Sequence, residues 1–484
     1  MTDAQSRPLS LLERFALSRR LAGYPPNVCM IVTYPSGSAL PTTAFLEKRI
    51  IELQEHFPTL SSRVDDARTT TPRITLRDQI WSPSEILQED TYEPIEGDEK
   101  AQVTELLIAQ KKKMVKDEYD VGTHPLWTVT RFVHPTKAET STGYIAVIID
   151  HIVSDGRGLL ALTGALLAND ISNLPFEKRE NVPKLEDKVN IKPSISYFLP
   201  IVWEKLILPK LPAFIQSYFH TDINVWPGKV YRGSRKDAIP NTSIISLAPD
   251  FVSSLKIAIK AKGVKTLQPV LQTAFATAVW SVYRYTVSPF TYVAATPRSE
   301  RDASLGHPYC TGNYVSQNKT TLTLGPKEDF WNIAKQMADS LSKPNLRSHE
   351  RMAIGMLAFV PDGLVTAAEP DPHRPTKWEE FFLDSNKDGE SWDESISVSN
   401  VGVGKLPPRA TDLIWSQTSS PFGPPMAVNA VGHDGGMRLA LLWREGTVVI
   451  EEEMKQVEAI VLLVLQNIID GKGDATLEAF TKRE

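Results

Sequence analysis

The run Tyr144-Ile-Ala-Val-Ile-Ile-Asp150-His151-Ile-Val-Ser-Asp155-Gly156-Arg-Gly158 decides how the rest of this 484-residue chain is read. Its first part is an unbroken apolar stretch with β-branched residues, the pattern of a strand buried on both faces. The strand runs into His151, and an Asp-Gly turn follows four positions later. Leu159 to Ala168 then resumes as an apolar helix. An imidazole at the end of a buried strand, with a carboxylate held beside it by a turn, is a suitable layout for a general base. Histidine is largely unprotonated at neutral pH and can take a proton from a hydroxyl. The plain alternative is a strand-end histidine followed by an aspartate that N-caps the helix.

The segment Asp150-His151-Ile-Val-Ser-Asp155-Gly156 resembles the HxxxDG motif of CoA-dependent acyltransferases and of peptide-synthetase condensation domains. Within that superfamily the chain is most similar to the fungal and yeast alcohol acetyltransferases. Leu11–Leu21 resembles their opening helix, Leu53–Val64 their "H-P-x-L-R" stretch and Pro125-Leu126-Trp127 their "P-L-W". Thr296-Pro297-Arg298, Gly312–Val315 and Ser397–Gly402 resemble landmarks of their second half.

The resemblance implies a chloramphenicol-acetyltransferase-like α/β fold, two sandwich halves with an active-site tunnel between them. It also implies that His151 is the general base and that Asp155 is structural, holding the His loop with Gly156. An arginine just past a second-half strand, Arg298 or Arg301, would pair with Asp155, since an unpaired buried carboxylate costs several kcal/mol. Ser397, Ser399 and Asn400 would face the tunnel and donate to an oxyanion, unless they only complete hydrogen bonds at a strand end.

Acyl-CoA, most simply acetyl-CoA, would be the co-substrate and an alcohol the acceptor, with no resident cofactor and no metal. N-acylation or a carrier-bound acyl donor is the enzymatic alternative, and a non-catalytic binding or scaffold relative is another. Asp150 stands where condensation domains carry a second His, and its charge is expected to raise the pKa of His151. Pro421-Phe422-Gly423-Pro424 is a loose echo of the "DFGWG" floor of plant relatives.

Composition narrows the classes. A net charge of -5 and a pI of about 6.1 argue against a nucleic-acid binder. Cys29 and Cys310 form no CxxC pair, which argues against a disulfide framework or zinc site and for a reducing compartment. No basic segment followed by an apolar core opens the chain. The reading is a cytoplasmic monomer, with peripheral contact to a lipid surface left open.

In chain order, residues 1–172 read as an N-terminal half, 173–241 as a proline-punctuated crossover and 242–484 as a C-terminal half. Leu9–Ala22 has the periodicity of an amphipathic helix, packed on the core or on a membrane, with Glu13, Arg14, Arg19 and Arg20 off its apolar stripe. Lys111–Lys113 and Lys116 offer a basic face to CoA phosphates or to solvent. The crossover is apolar around Ser196–Leu208, but its prolines and Glu204-Lys205 rule out an uninterrupted membrane span. Leu267–Tyr285 is apolar nearly all round, as a buried helix requires. Met426–Val431 and Met437–Trp443 read as a hairpin about Gly432-His433-Asp434-Gly435-Gly436, and Glu451–Ile469 as a closing helix. Asp384-Ser-Asn386-Lys-Asp388-Gly389 matches half of a calcium loop, but its twelfth position is Ser395, so an exposed turn is expected.

Overall fold

A computed structural model describes residues 6–113, 120–136, 141–172, 183–212, 215, 225–228, 232–301, 310–363, 376–384, 391–421, 423–472 and 476–481. Residues 385–389 of the calcium-loop-like segment, Lys116 and Phe422 fall outside them. The first half contributes β1 (Ser6–Pro8), β2 (Asn27–Tyr34), β3 (Ser62–Asp65), β4 (Arg73–Leu76), β5 (Leu87–Thr91), β6 (Trp127–Val133) and β7 (Gly143–Asp150). The second contributes β8 (Ile239–Leu247), β9 (Phe290–Ser299), β10 (Val315–Leu324), β11 (Ile396–Val403), β12 (Asp412–Gln417), β13 (Met426–His433) and β14 (Gly436–Glu445).

These strands form a five-stranded sheet in the order β12-β2-β7-β6-β5, a six-stranded sheet in the order β10-β9-β11-β13-β14-β8, and a small sheet β1-β4-β3. The expected mixed α/β fold with two sheet-centred lobes is what the chain adopts. One strand crosses between the halves: β12 leaves the second half and pairs antiparallel with β2, Asp412 opposite Thr33 through Gln417 opposite Val28.

All eight residues of β7 are buried, and its alternating side chains serve two cores. Ile145, Val147 and Ile149 pack with Leu46, Ile50 and Leu53 of the helix Thr43–His56 and with Leu159, Leu162 and Leu166 of the helix Gly156–Leu167. Tyr144, Ala146 and Ile148 face Val103, Leu106 and Leu107 of the helix Glu99–Lys113, together with Ile244, Ala440 and Leu442 of the second half. The second cluster cements the lobes, each fully buried Ile or Val contributing about 1.5–3 kcal/mol of transfer free energy. The central helix of the second half, Leu267–Tyr283, buries thirteen of its seventeen residues. Thr273 and Thr277 fit there because their hydroxyls donate to the carbonyls of Pro269 and Thr273, both at 2.8 Å.

The opening helix, Leu11–Leu21, is capped by Ser10 and Glu13 and buries Ala16 and Leu17, while Phe15 meets Phe382 edge-on at 5.8 Å. Its polar positions are less solvated than periodicity suggests. Glu13 and Arg20 are buried, paired with Arg7 at 2.8 Å and with Asp150, respectively. Lys111 likewise does not face solvent. It donates to Thr242 Oγ1 at 2.8 Å and Ser416 Oγ at 3.3 Å between the lobes, and burial brings its pKa down to about 8. No helix among the described residues is long and apolar enough to cross a membrane. Both cysteines are buried free thiols whose pKa burial pushes up to about 12.

Candidate active site

His151 is the first residue past β7, and its backbone is pinned from both sides. Its N–H donates to the Pro26 carbonyl at 3.0 Å, and its own carbonyl accepts from Asn313 Nδ2 of the second half at 3.0 Å. The ring lies on the wall of a cavity of about 830 Å³ lined by both halves. First-half wall residues include Phe15, Arg19 and Asn27; second-half ones include Asn313, Ser397 and Trp443. Nδ1 is buried and makes no hydrogen bond.

Two buried carboxylates flank the ring. Asp150 accepts from Arg20 Nε at 2.6 Å and from the Ile152 N–H at 2.7 Å, and Arg20 also donates to Asn27 Oδ1 at 3.0 Å. Asp155 is the N-cap of the helix Gly156–Leu167, accepting from the Gly158 N–H at 2.9 Å. It is an ion-pair partner as well: Arg301 Nε lies 3.1 Å from Oδ2, and the Tyr314 N–H donates to the same oxygen at 3.0 Å. The cap and the partner are therefore one arrangement. Burial pushes the Asp155 carboxyl up, but Arg301 and then the Gly158 and Tyr314 N–H groups outweigh it, leaving its pKa below the usual value.

Of the two arginines expected here, Arg301 reaches Asp155, while Arg298 pairs with Glu350 at 2.9 Å. Arg298 is still within β9 and turns toward the helix Pro344–Gly355, whereas Arg301 lies two residues past the strand end. Arg301 also donates to the carbonyls of Thr311 and Gly312 at 3.1 and 2.5 Å. Further stitches join the same segments: Ser154 Oγ donates to the Cys310 carbonyl and the Gly312 N–H to the Val153 carbonyl, each at 2.7 Å.

Gly156 is required by space. A Cβ there would lie 2.9 Å from Val401 Cγ1 and 3.1 Å from Trp415 Cζ3, both second-half side chains. Ser397 lies on the cavity wall and is 7% exposed. Ser399 shares its face of β11 but lies two residues farther on, and Asn400 accepts from the Gly402 N–H at 2.9 Å as the strand shifts register. Neither reaches the wall.

The pKa of His151 lies below the ordinary imidazole value, opposite to the expectation drawn from Asp150. Burial is the largest cause and the cationic Arg19 the next; Asp155 and Asp150 pull upward and lose. Asp150 is already neutralised by Arg20. Arg19 and Asn313 were not singled out by sequence reasoning. The only signal for Asn313 was its place in a quoted landmark, and Arg19 carried none that separated it from Arg14 and Arg20.

No protein-family model matches the chain, and no curated protein matches it. Solved structures do. The chain is similar to TRI3 trichothecene 15-O-acetyltransferase from Fusarium sporotrichioides, at 11% identity over 99% of this chain and 95% of that one, with a TM-score of 0.65. It is similar to the condensation domain of the monacolin K polyketide synthase MokA, at 12% identity over 98% and 99%, TM-score 0.61. It also matches the epimerization domain from the third module of tyrocidine synthetase B, at 15% identity over 99% and 98%, TM-score 0.58. The fold is thus the two-lobed architecture of chloramphenicol-acetyltransferase-like and condensation-domain proteins.

Proposed function

We propose that this chain is an acyltransferase that moves an acyl group, most simply acetyl, from acyl-CoA to the hydroxyl of a small or secondary-metabolite alcohol. The observation that carries the reading is the position of His151. A neutral imidazole stands on the wall of a cavity built from both halves, on a loop whose conformation is fixed by Asp155, Arg301, Asn313 and the Tyr314 N–H. A depressed pKa keeps it in the proton-accepting form at neutral pH.

In the proposed reaction His151 takes the proton of the acceptor hydroxyl as its oxygen attacks the thioester carbonyl. A bond from that oxygen to the carbonyl carbon forms, and the carbonyl electrons move onto oxygen. The intermediate collapses by breaking the carbon–sulfur bond, and the imidazolium returns the proton to the departing thiolate. Of the three residues expected to donate to the oxyanion, Ser397 is the one on the cavity wall and takes that part here. Asp155 and Arg301 hold the loop and do not touch substrate. The TRI3 neighbour is described as an O-acetyltransferase, which favours oxygen over nitrogen as the acceptor atom.

The experiment is to incubate the protein with acetyl-CoA and an alcohol panel and to follow free thiol. His151→Ala is expected to lower the rate by about 10²–10⁴-fold, with melting temperature followed alongside to separate loss of the base from loss of the fold. Turnover that survives the substitution eliminates the mechanism. A protein silent with acetyl-CoA but active with a carrier-bound thioester would move the reading to condensation-type chemistry.

A further inference from the structure

Among the described residues, the charged groups on the cavity wall have ion-pair or hydrogen-bond partners with one exception, although Glu350 Oε2 is itself left without a hydrogen bond. Lys319 pairs with Glu394 at 2.7 Å, Glu350 with Arg298 at 2.9 Å, and Arg444 donates to the carbonyls of Arg235 and Lys236, both at 3.2 Å. Arg19, on the last turn of the opening helix, makes no hydrogen bond or ion pair among the described residues, and its Nε is buried and unsatisfied. Phe382 lies against it, ring centroid 6.0 Å from the guanidinium carbon. The carboxylate of Asp150 is nearby but is engaged by Arg20 and the Ile152 N–H. Burial brings the pKa of Arg19 down to about 10, with Asp150 opposing, so it keeps its charge at neutral pH.

Arg19 is half-buried, but its Nε is shut off from solvent and has no partner, and folded proteins rarely leave a buried donor so. Its neighbour Arg20 shows the ordinary solution, an immediate carboxylate. A guanidinium is a planar fork suited to carboxylate or phosphate oxygens, and in a poorly solvated wall such a bond is stronger than in water. We propose that the cavity is an anion site: Arg19, beside His151, receives a carboxylate or phosphate oxygen of the ligand.

The oxygen comes from one of two sources, a phosphate of the acyl donor or an acidic group on the acceptor, which would then be a hydroxy acid. The choice between them rests on the acyltransferase reading; the binding itself does not. Arg19 binds and orients in this account and moves no proton.

The test uses the full chain and calorimetric titration, which needs no turnover. Two anionic probes are paired with neutral counterparts: CoA with pantetheine, and the hydroxy acids mandelate and 3-hydroxydecanoate with their methyl esters. At least one anionic probe is expected to bind more tightly than its counterpart. Arg19→Gln should weaken it by about ten- to hundredfold, the range of a charged hydrogen bond, and leave the neutral partner unchanged, while Arg19→Lys retains part of the gain. A response in the CoA pair assigns the anion to the donor; one in the hydroxy-acid pair assigns it to the acceptor. Equal binding of the anionic probes to wild type and Arg19→Gln overturns the proposal, as does the absence of any anionic preference in wild type.

Melting temperature gives a second readout. Arg19 makes no hydrogen bond or ion pair among the described residues, so Arg19→Gln should be about as stable as wild type. A fall of several degrees would mean that Arg19 holds structure, not ligand. Arg19-dependent binding without turnover would sink the acyltransferase reading and keep this one; turnover with Arg19-independent binding would do the reverse.

Discussion

The two carboxylates on either side of His151 look alike and are held differently. Asp150 is secured inside the first half, by an arginine on the opening helix and by Asn27 through that arginine. Asp155 is secured by the second half, through Arg301 and the Tyr314 N–H. The first pair sets the end of β7; the second ties the turn beyond it to the opposite lobe. The base is therefore carried by one half and immobilised by the other, so its geometry reports whether the lobes are correctly assembled.

The contrast breaks most visibly at Asp155. Asp155→Ala leaves Arg301 buried without its anion and strips two N–H donors, an expected loss of about 3–5 kcal/mol in urea unfolding. A double-mutant cycle sharpens the point: Asp155 should couple to Arg301 and not to Arg20. Strong coupling to Arg20 would mean that the two pairs act as one network.

Gly156→Ala comes next. Its Cβ meets Val401 and Trp415 across the lobe boundary, at 2.9 and 3.1 Å, an overpacking expected to cost about 1–3 kcal/mol. The same change at Gly164, whose Cβ would meet nothing within 4 Å, is the control and should be neutral or stabilising.

The smallest effect is in pH. Because burial and Arg19 depress the pKa of His151, the acidic limb of kcat/KM should fall below the unperturbed value of about 6.5. Arg19→Gln should move it upward. The sign for stability follows from linkage: the unfolded chain protonates first, so the His151 contribution is complete above about pH 6.5 and is lost as pH falls toward the folded value. An acidic limb above 6.5 in the wild type would mean that Asp150 and Asp155 dominate the ring after all.

Much of this was legible locally. The helix Glu451–Ile469 and the hairpin of β13 and β14 follow from periodicity and a glycine turn, and β7 from an apolar run that only two buried faces explain. β10 was missed. Its buried positions include Ser316 and Asn318, which donate to the buried Glu300 and Glu350, and Thr320, which donates to Asn318, so hydrophobic alternation is concealed. β12 was missed because its partner β2 lies nearly 400 residues earlier, and no local pattern encodes such a pairing. At the site, sequence narrowed the partner of Asp155 to two arginines three residues apart. The end of β9 at Ser299 falls between them and separates their partners. Arg19 was invisible because a guanidinium with a partner and one without have the same letter and the same helical phase.

The excursion of β12 has a practical consequence for anyone dividing this chain. The first 172 residues expressed by themselves would present β2 as a naked sheet edge, ready to recruit another copy, and should aggregate. A split protein can be rebuilt from two fragments only when the later fragment brings Asp412–Gln417 with it, which makes that short strand the latch by which complementation succeeds or fails.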